Sequence, residues 1–162
     1  MRILLLTLLL LAALGHAAPV MAEEPKPRPK ATAADRPAGP LTPEERRFMG
    51  VWRDGYTLVF DGRDFCADTQ PGEWYEGFIR IRTDVEPAQL DFVILVQSGQ
   101  PNGNTSEAIF RWDGDTIEVL APSPGSPRPP AFAEKTEGLV RLELRKDGKS
   151  KFPASHCLGE SR

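Results

Sequence analysis

Asp-Gly, Pro-Gly and Asn-Gly pairs at 61–62, 71–72, 102–103 and 113–114 separate short runs of β-branched and aromatic residues. This punctuation limits what the chain can fold into. Such pairs supply the backbone conformations that tight turns need, and strands recurring about every ten residues are the pattern of all-β sandwiches and barrels. Tyr56, Leu58 and Phe60 alternate with Thr57 and Val59. Further on, Tyr75, Gly77, Ile79 and Ile81 share one face, with Arg80 and Arg82 opposite. A glycine in mid-strand marks a bend or bulge, which places one at Gly77. The run from Leu90 to Val96 is apolar on both faces and therefore predicts cover on both sides. The stretch from Gln97 to Ser106 reads as a polar loop, and Val140, Leu142 and Leu144 point inward from the last strand. Seven or eight antiparallel strands in sequential hairpins favour an up-and-down barrel, with a sandwich as the alternative. Closure would also remove exposed edges.

Before the strands, Thr42-Pro43-Glu44-Glu45 forms a capping box with proline at the first helical position. It predicts a helix of two turns at most, ended by Gly50. Within the strand region, Ala121 to Phe132 holds five prolines, which exclude a central strand. The segment reads as a rigid connection along the barrel, with Arg128 and Phe132 as candidates for a ligand-contacting rim.

The ends of the chain speak to compartment. Residues 1–22 carry Arg2, an apolar run from Ile3 to about Leu14, and small residues at Val20 and Ala22, the pattern of a cleaved secretory signal peptide. The expectation is a secreted or periplasmic protein with no stable membrane span after cleavage. Losing Arg2 leaves 19 basic residues of the original 20 against 23 acidic ones, a balance that argues against nucleic acid as a partner. Residues 23–41 combine proline and charge with almost no bulky apolar side chains, so they read as a Pro-rich disordered linker, or as an arm for a partner. The domain proper is expected over 42–162. Cys66 and Cys157 would both be exported, and an isolated pair in an oxidising compartment forms a disulfide. Metal binding by these cysteines with His156 is a weaker alternative, because no second histidine lies outside the leader.

Gly50-x-Trp52, "PAQLDF" at Pro87 to Phe92, "AIFRWDGDTIEV" at Ala108 to Val119 and "PRPPAF" at Pro127 to Phe132 resemble, in order and spacing, a family of secreted, lipocalin-like small domains of unknown function. That family is abundant in planctomycetes and other bacteria. The resemblance implies a compact extracytoplasmic β-barrel and brings no activity, cofactor or catalytic residues with it. True lipocalins share only Gly50-x-Trp52, whose tryptophan there closes the barrel floor.

The leading functional reading is an exported, non-enzymatic binding barrel for a small apolar ligand. Trp52, Tyr75, Phe92, Phe110 and Trp112 are its candidate lining or core, and Asp91, Arg128 and Phe132 its candidate rim. Only Gly77 and Ala108 offer small inward positions, which favours a filled interior. The alternative is a protein-binding module, an inhibitor of an exported hydrolase or an envelope scaffold, using the Gln97 to Ser106 loop or the N-terminal arm. No serine lies in a nucleophile elbow, so no catalytic residue, cofactor or metal ligand is assigned. Asp91 sits inside an apolar strand and implies either a partner such as Arg128 or an inward pairing with a carboxylate such as Glu76.

Overall fold

The computed structural model describes residues 29–132, 138–151 and 156–159; the leader read at residues 1–22 lies outside them. Alternating side chains and glycine turns produce a single antiparallel sheet of eight strands in chain order. The strands are β1 (Gly50–Arg53), β2 (Thr57–Asp61), β3 (Asp64–Gln70), β4 (Glu73–Arg82), β5 (Gln89–Gln97), β6 (Gln100–Asp113), β7 (Thr116–Pro122) and β8 (Leu139–Leu144). The ends of the sheet meet at Arg53 and Arg145, whose amides each donate to the other's carbonyl at 2.9 and 3.1 Å. The result is a nearly closed up-and-down barrel.

Its interior follows from the period of two. Phe60, Phe65, Ile79, Phe92, Phe110 and Val119 point inward from successive strands into one buried cluster. A short helix, α1 (Pro43–Phe48), stoppers one end. Its capping box forms as the sequence implies: the Glu45 amide donates to Thr42 Oγ1 at 3.1 Å, and Glu45 Oε2 accepts from the Thr42 amide at 2.7 Å. Phe48, fully buried at the end of α1, stacks edge-on against Phe60, Phe110 and Trp112, with ring centroids 5.2 to 5.6 Å apart. Trp52 closes the same floor and donates its indole N–H to the Phe48 carbonyl at 2.5 Å.

Three of the four glycine pairs sit at turns as expected, but Asn102-Gly103 does not. The β5–β6 reversal occurs at Ser98-Gly99, and the stretch read as a polar loop is ladder-forming strand. The reason is a bulge. Leu95 is an extra residue relative to β4, where Ile94 and Val96 pair with the adjacent Gly77 and Glu76. On the other side two residues of β6, Asn102 and Gly103, stand opposite the single Leu95, between the Ile94–Asn104 and Val96–Pro101 pairs. Gly77 has no side chain because the strands approach so closely: a Cβ there would lie 1.9 Å from the Val93 carbonyl oxygen. Gly77→Ala is expected to destabilise by about 3 kcal/mol, the upper end for overpacking, because the obstacle is ladder backbone that cannot rotate away. A urea denaturation midpoint within error of wild type would refute this.

The largest departure from the sequence reading concerns the N-terminal arm. Residues 29–41 were expected in a disordered linker, yet they lie against the outside of the barrel. The Ala31 amide donates to the Gly103 carbonyl at 2.8 Å, and Arg80 donates to the Asp35 carbonyl at 3.1 Å. Arg36 lies over the Phe78 ring and bridges Asp64 at 2.6 Å. Arg63, in the β2–β3 turn, holds the carbonyls of Pro37, Gly39 and Pro40. Phe78 and Val93 are outward-facing and yet fully buried, so this face of β4 and β5 is covered on both sides, as the apolar character of β5 implies. Ile109 and Leu120, also outward and fully buried, lie on the stretch of wall crossed by the Pro-rich segment. That segment is tied down by the Gly125 amide on the Thr105 carbonyl at 2.9 Å and by Arg128 on the Ala108 carbonyl. The arm has Leu41 as its one large aliphatic residue and binds through backbone and arginine contacts. That is why composition alone makes it look solvated.

Candidate functional site

Inward positions on β3 run Phe65, Ala67, Thr69, so the side chains shrink and turn polar toward the end of the barrel away from α1. Ser106 on β6 and Ala121 on β7 do the same. The missing volume leaves a cup of about 370 Å³ at that end. Its wall is apolar, with Leu58, Phe65, Phe92, Ile94 and Leu142 at its base and Tyr56, Val140 and Pro124 toward the mouth. Val140 is 49% exposed, one of two large hydrophobic residues in that state among the described residues. Ser106 adds little polarity, since its hydroxyl donates to the Pro122 carbonyl at 2.7 Å.

Polarity is concentrated on one side of the mouth. Glu73, at the start of β4, accepts from the Tyr75 hydroxyl at 2.6 Å and from Gln97 at 3.4 Å on Oε1. On Oε2 it accepts from Gln70 at 2.5 Å and Thr69 at 3.2 Å. Gln97 also donates to the Tyr75 oxygen at 3.3 Å and is itself oriented by Asn102 at 2.9 Å. The hydrogen bond from Tyr75 is the largest influence on the Glu73 carboxyl. With those from Thr69, Gln70 and Gln97 it outweighs partial burial and holds the group below its ordinary value. Burial first, and then the hydrogen bond to Glu73, push the Tyr75 phenol up to about 12. Glu73 is therefore a carboxylate and Tyr75 a neutral donor at neutral pH.

The candidate residues from the sequence divide between the two ends. Tyr75 and Phe92 line the cup. Trp52, Phe110 and Trp112 do not: they belong to the aromatic floor around Phe48, where Arg47 lies 3.8 Å above the Trp112 ring and Lys146 5.0 Å from that of Trp52. The candidate rim is likewise displaced. Asp91 faces outward, because its neighbours Leu90 and Phe92 face in, and it pairs with Arg128 on the outer wall. The inward pairing with Glu76 is thereby excluded. Phe132 lies on the outside under Arg111, 4.4 Å from its guanidinium. Small inward positions were sought at Gly77 and Ala108, but Gly77 is filled by the neighbouring strand and Ala108 is fully buried. Ala67, Thr69, Ser106 and Ala121 are the positions that open the cup. Glu73 was also missed, since nothing in its local sequence distinguishes it from an ordinary turn-flanking glutamate.

Cys66 and Cys157 form a disulfide, with S–S 2.10 Å and Cα–Cα 5.5 Å. It lies on the outer wall, since Phe65 and Ala67 face in. Asp68 accepts from the amides of His156 and Cys157 at 3.2 and 3.3 Å, and the His156 ring stacks on Trp74 at 3.8 Å and meets Glu76 at 3.1 Å. Cys66, Glu76 and His156 bring potential metal-ligating atoms within 4.8 Å of one another, but the sulfur is spent in the bridge, leaving two ligands. Among the described residues no helix is long and apolar enough to cross a membrane.

No protein-family model, curated protein or solved structure matches the chain.

Proposed function

We propose that the protein is an exported, non-enzymatic binding barrel whose cup takes a small apolar ligand. The observation that carries this reading is the cup itself: about 370 Å³ with an apolar wall, at the end of the barrel that α1 leaves open. Ligand sites are concave, mostly apolar and furnished with a few oriented polar groups, and eight-stranded barrels of this size can hold one small ligand. The disulfide and the leader read at residues 1–22 support export. The protein-binding alternative draws less support, because the arm from residue 29 onward is engaged on its own barrel and the 97–106 stretch is a paired hairpin and not a free loop.

Titration with N-phenyl-1-naphthylamine, uncharged at neutral pH and fluorescent in apolar surroundings, tests the reading. A saturable, one-to-one enhancement is expected. Ala67→Phe, which fills the cup from its wall, should weaken it by about tenfold or more, with the variant's melting curve serving as the control for folding. Absence of saturable enhancement in the wild type, or an unchanged affinity in a folded Ala67→Phe, would overturn it.

A further inference from the structure

The treatment of carboxylates in this barrel is uneven. Glu45, Asp91 and Glu118 are buried or nearly so, and each has arginine against it: Arg63 for Glu45, Arg128 for Asp91, and both Arg111 and Arg141 for Glu118. Glu73 sits at the mouth of an apolar cup and is served differently. Its four hydrogen-bond partners, Thr69, Gln70, Tyr75 and Gln97, are all neutral. Among the described residues no Lys, Arg or His forms an ion pair with it. Neutral donors orient a carboxylate and keep it ionised without cancelling its charge. The cup therefore presents an oriented negative charge on one side of an otherwise apolar mouth.

We propose that the ligand of the cup is a cationic amphiphile, an apolar body with an ammonium or similar cationic head that rests against Glu73. The inference depends on the cup being a ligand site, as proposed above, and adds the chemical class. A charge-assisted hydrogen bond to a carboxylate is about twice as strong as a neutral one, and beside an apolar cavity the attraction is screened less than in open water. Two of the four donors can yield to an incoming head: Gln70 is exposed at the β3–β4 turn, and the Gln97 contact is long at 3.4 Å. Tyr75, whose hydroxyl bond is the shorter Oε1 contact at 2.6 Å, keeps the carboxylate in place meanwhile. An anionic amphiphile would meet the same carboxylate with no cation to offset it.

Displacement of N-phenyl-1-naphthylamine by three probes of equal chain length, n-octylammonium, 1-octanol and octanoate, separates this inference from the reading beneath it. At neutral pH and fixed ionic strength, octylammonium should displace the dye at a concentration about tenfold lower than octanol, with octanoate weakest. Glu73→Gln should erase the difference between ammonium and alcohol. Tyr75→Phe, which removes a neutral donor and leaves the charge, should keep the order, so that loss of order in Glu73→Gln reports the charge and not disruption of the network. Equal displacement by all three probes, or preference for octanoate, overturns the cationic ligand while leaving the cup a binding site. Failure of the dye to bind overturns both.

Discussion

Replacing Cys66 and Cys157 together by serine is expected to lower the unfolding free energy by about 4 to 5 kcal/mol. The figure comes from the entropy of closing a loop in the unfolded chain across a separation of 91 residues. It approaches the whole stability of a marginal domain. The folded state loses less than the number implies, because the C-terminal turn has other attachments: the two amides on Asp68 and the stacking of His156 on Trp74. Nor does the bridge touch the cup, since Cys66 faces outward. Urea denaturation of wild type and double variant, with intact mass after alkylation to verify the bridge, gives the comparison. Dye affinity measured well below the transition should be the same in both. A stability loss below about 1 kcal/mol would mean that the unfolded chain is already compact enough for the cross-link to constrain little.

Arg63→Ala is expected to cost about 3 to 5 kcal/mol, the range for removing one partner of a buried ion pair. All five guanidinium N–H groups of Arg63 are used. They reach both oxygens of Glu45 at 2.6 and 3.0 Å and the carbonyls of Pro37, Gly39 and Pro40 at 2.9 to 3.1 Å. The substitution strands a buried carboxylate on α1 and unfastens the arm from the barrel, so limited proteolysis should cut the variant within residues 29–41 before the barrel yields. Its pH dependence is distinctive. Burial pushes the Glu45 carboxyl up, but the hydrogen bonds from Arg63 and Thr42 outweigh that and hold it below its ordinary value of 4.5. A lowered folded value means the stabilisation is fully present above the ordinary value and is lost as pH falls through the lower folded one. Protonating Glu45 also relieves the stranded charge in the variant. The stability gap between wild type and Arg63→Ala should therefore narrow below pH 4.5; a gap independent of pH would place the loss in the arm carbonyls alone.

What could be read from the sequence, and what could not, follows the range of the interactions involved. The capping box at Thr42–Glu45, the hairpins at 61–62 and 113–114, the bulge near Gly77 and the need of Asp91 for a partner such as Arg128 are written within a few residues, or in a polar group that must find a partner, whereas the face Asp91 takes is not. The cup runs against the sequence reading, in which Gly77 and Ala108 as the small inward positions favour a filled interior, although the series Phe65, Ala67, Thr69 falls on one face of β3 and tapers. Recognising the opening required knowing that Ser106 and Ala121 stand at the same level across the barrel, which depends on register. The course of the arm was not legible, because arginines and backbone carbonyls hold it and these leave no apolar period. The β5–β6 turn was misplaced for a related reason. Asn102-Gly103 is an ordinary turn signal, and only the register of the β5–β6 pair, which sets these two residues opposite the single Leu95, makes it an interior bulge of β6.

Strand order identical to chain order also has a consequence for how the molecule is assembled. Every strand from β2 onward finds a neighbour already present and joined to it by a connection local in sequence, so the sheet can grow by successive addition, the kind of local pairing that favours rapid folding. The wall cannot close until Arg145 reaches Arg53, nor the bridge form until Cys157 reaches Cys66. A chain still being synthesised can thus hold seven strands of curved sheet with its inner aromatic face exposed. Only the arrival of β8 and of the turn that carries Cys157 converts that sheet into a vessel.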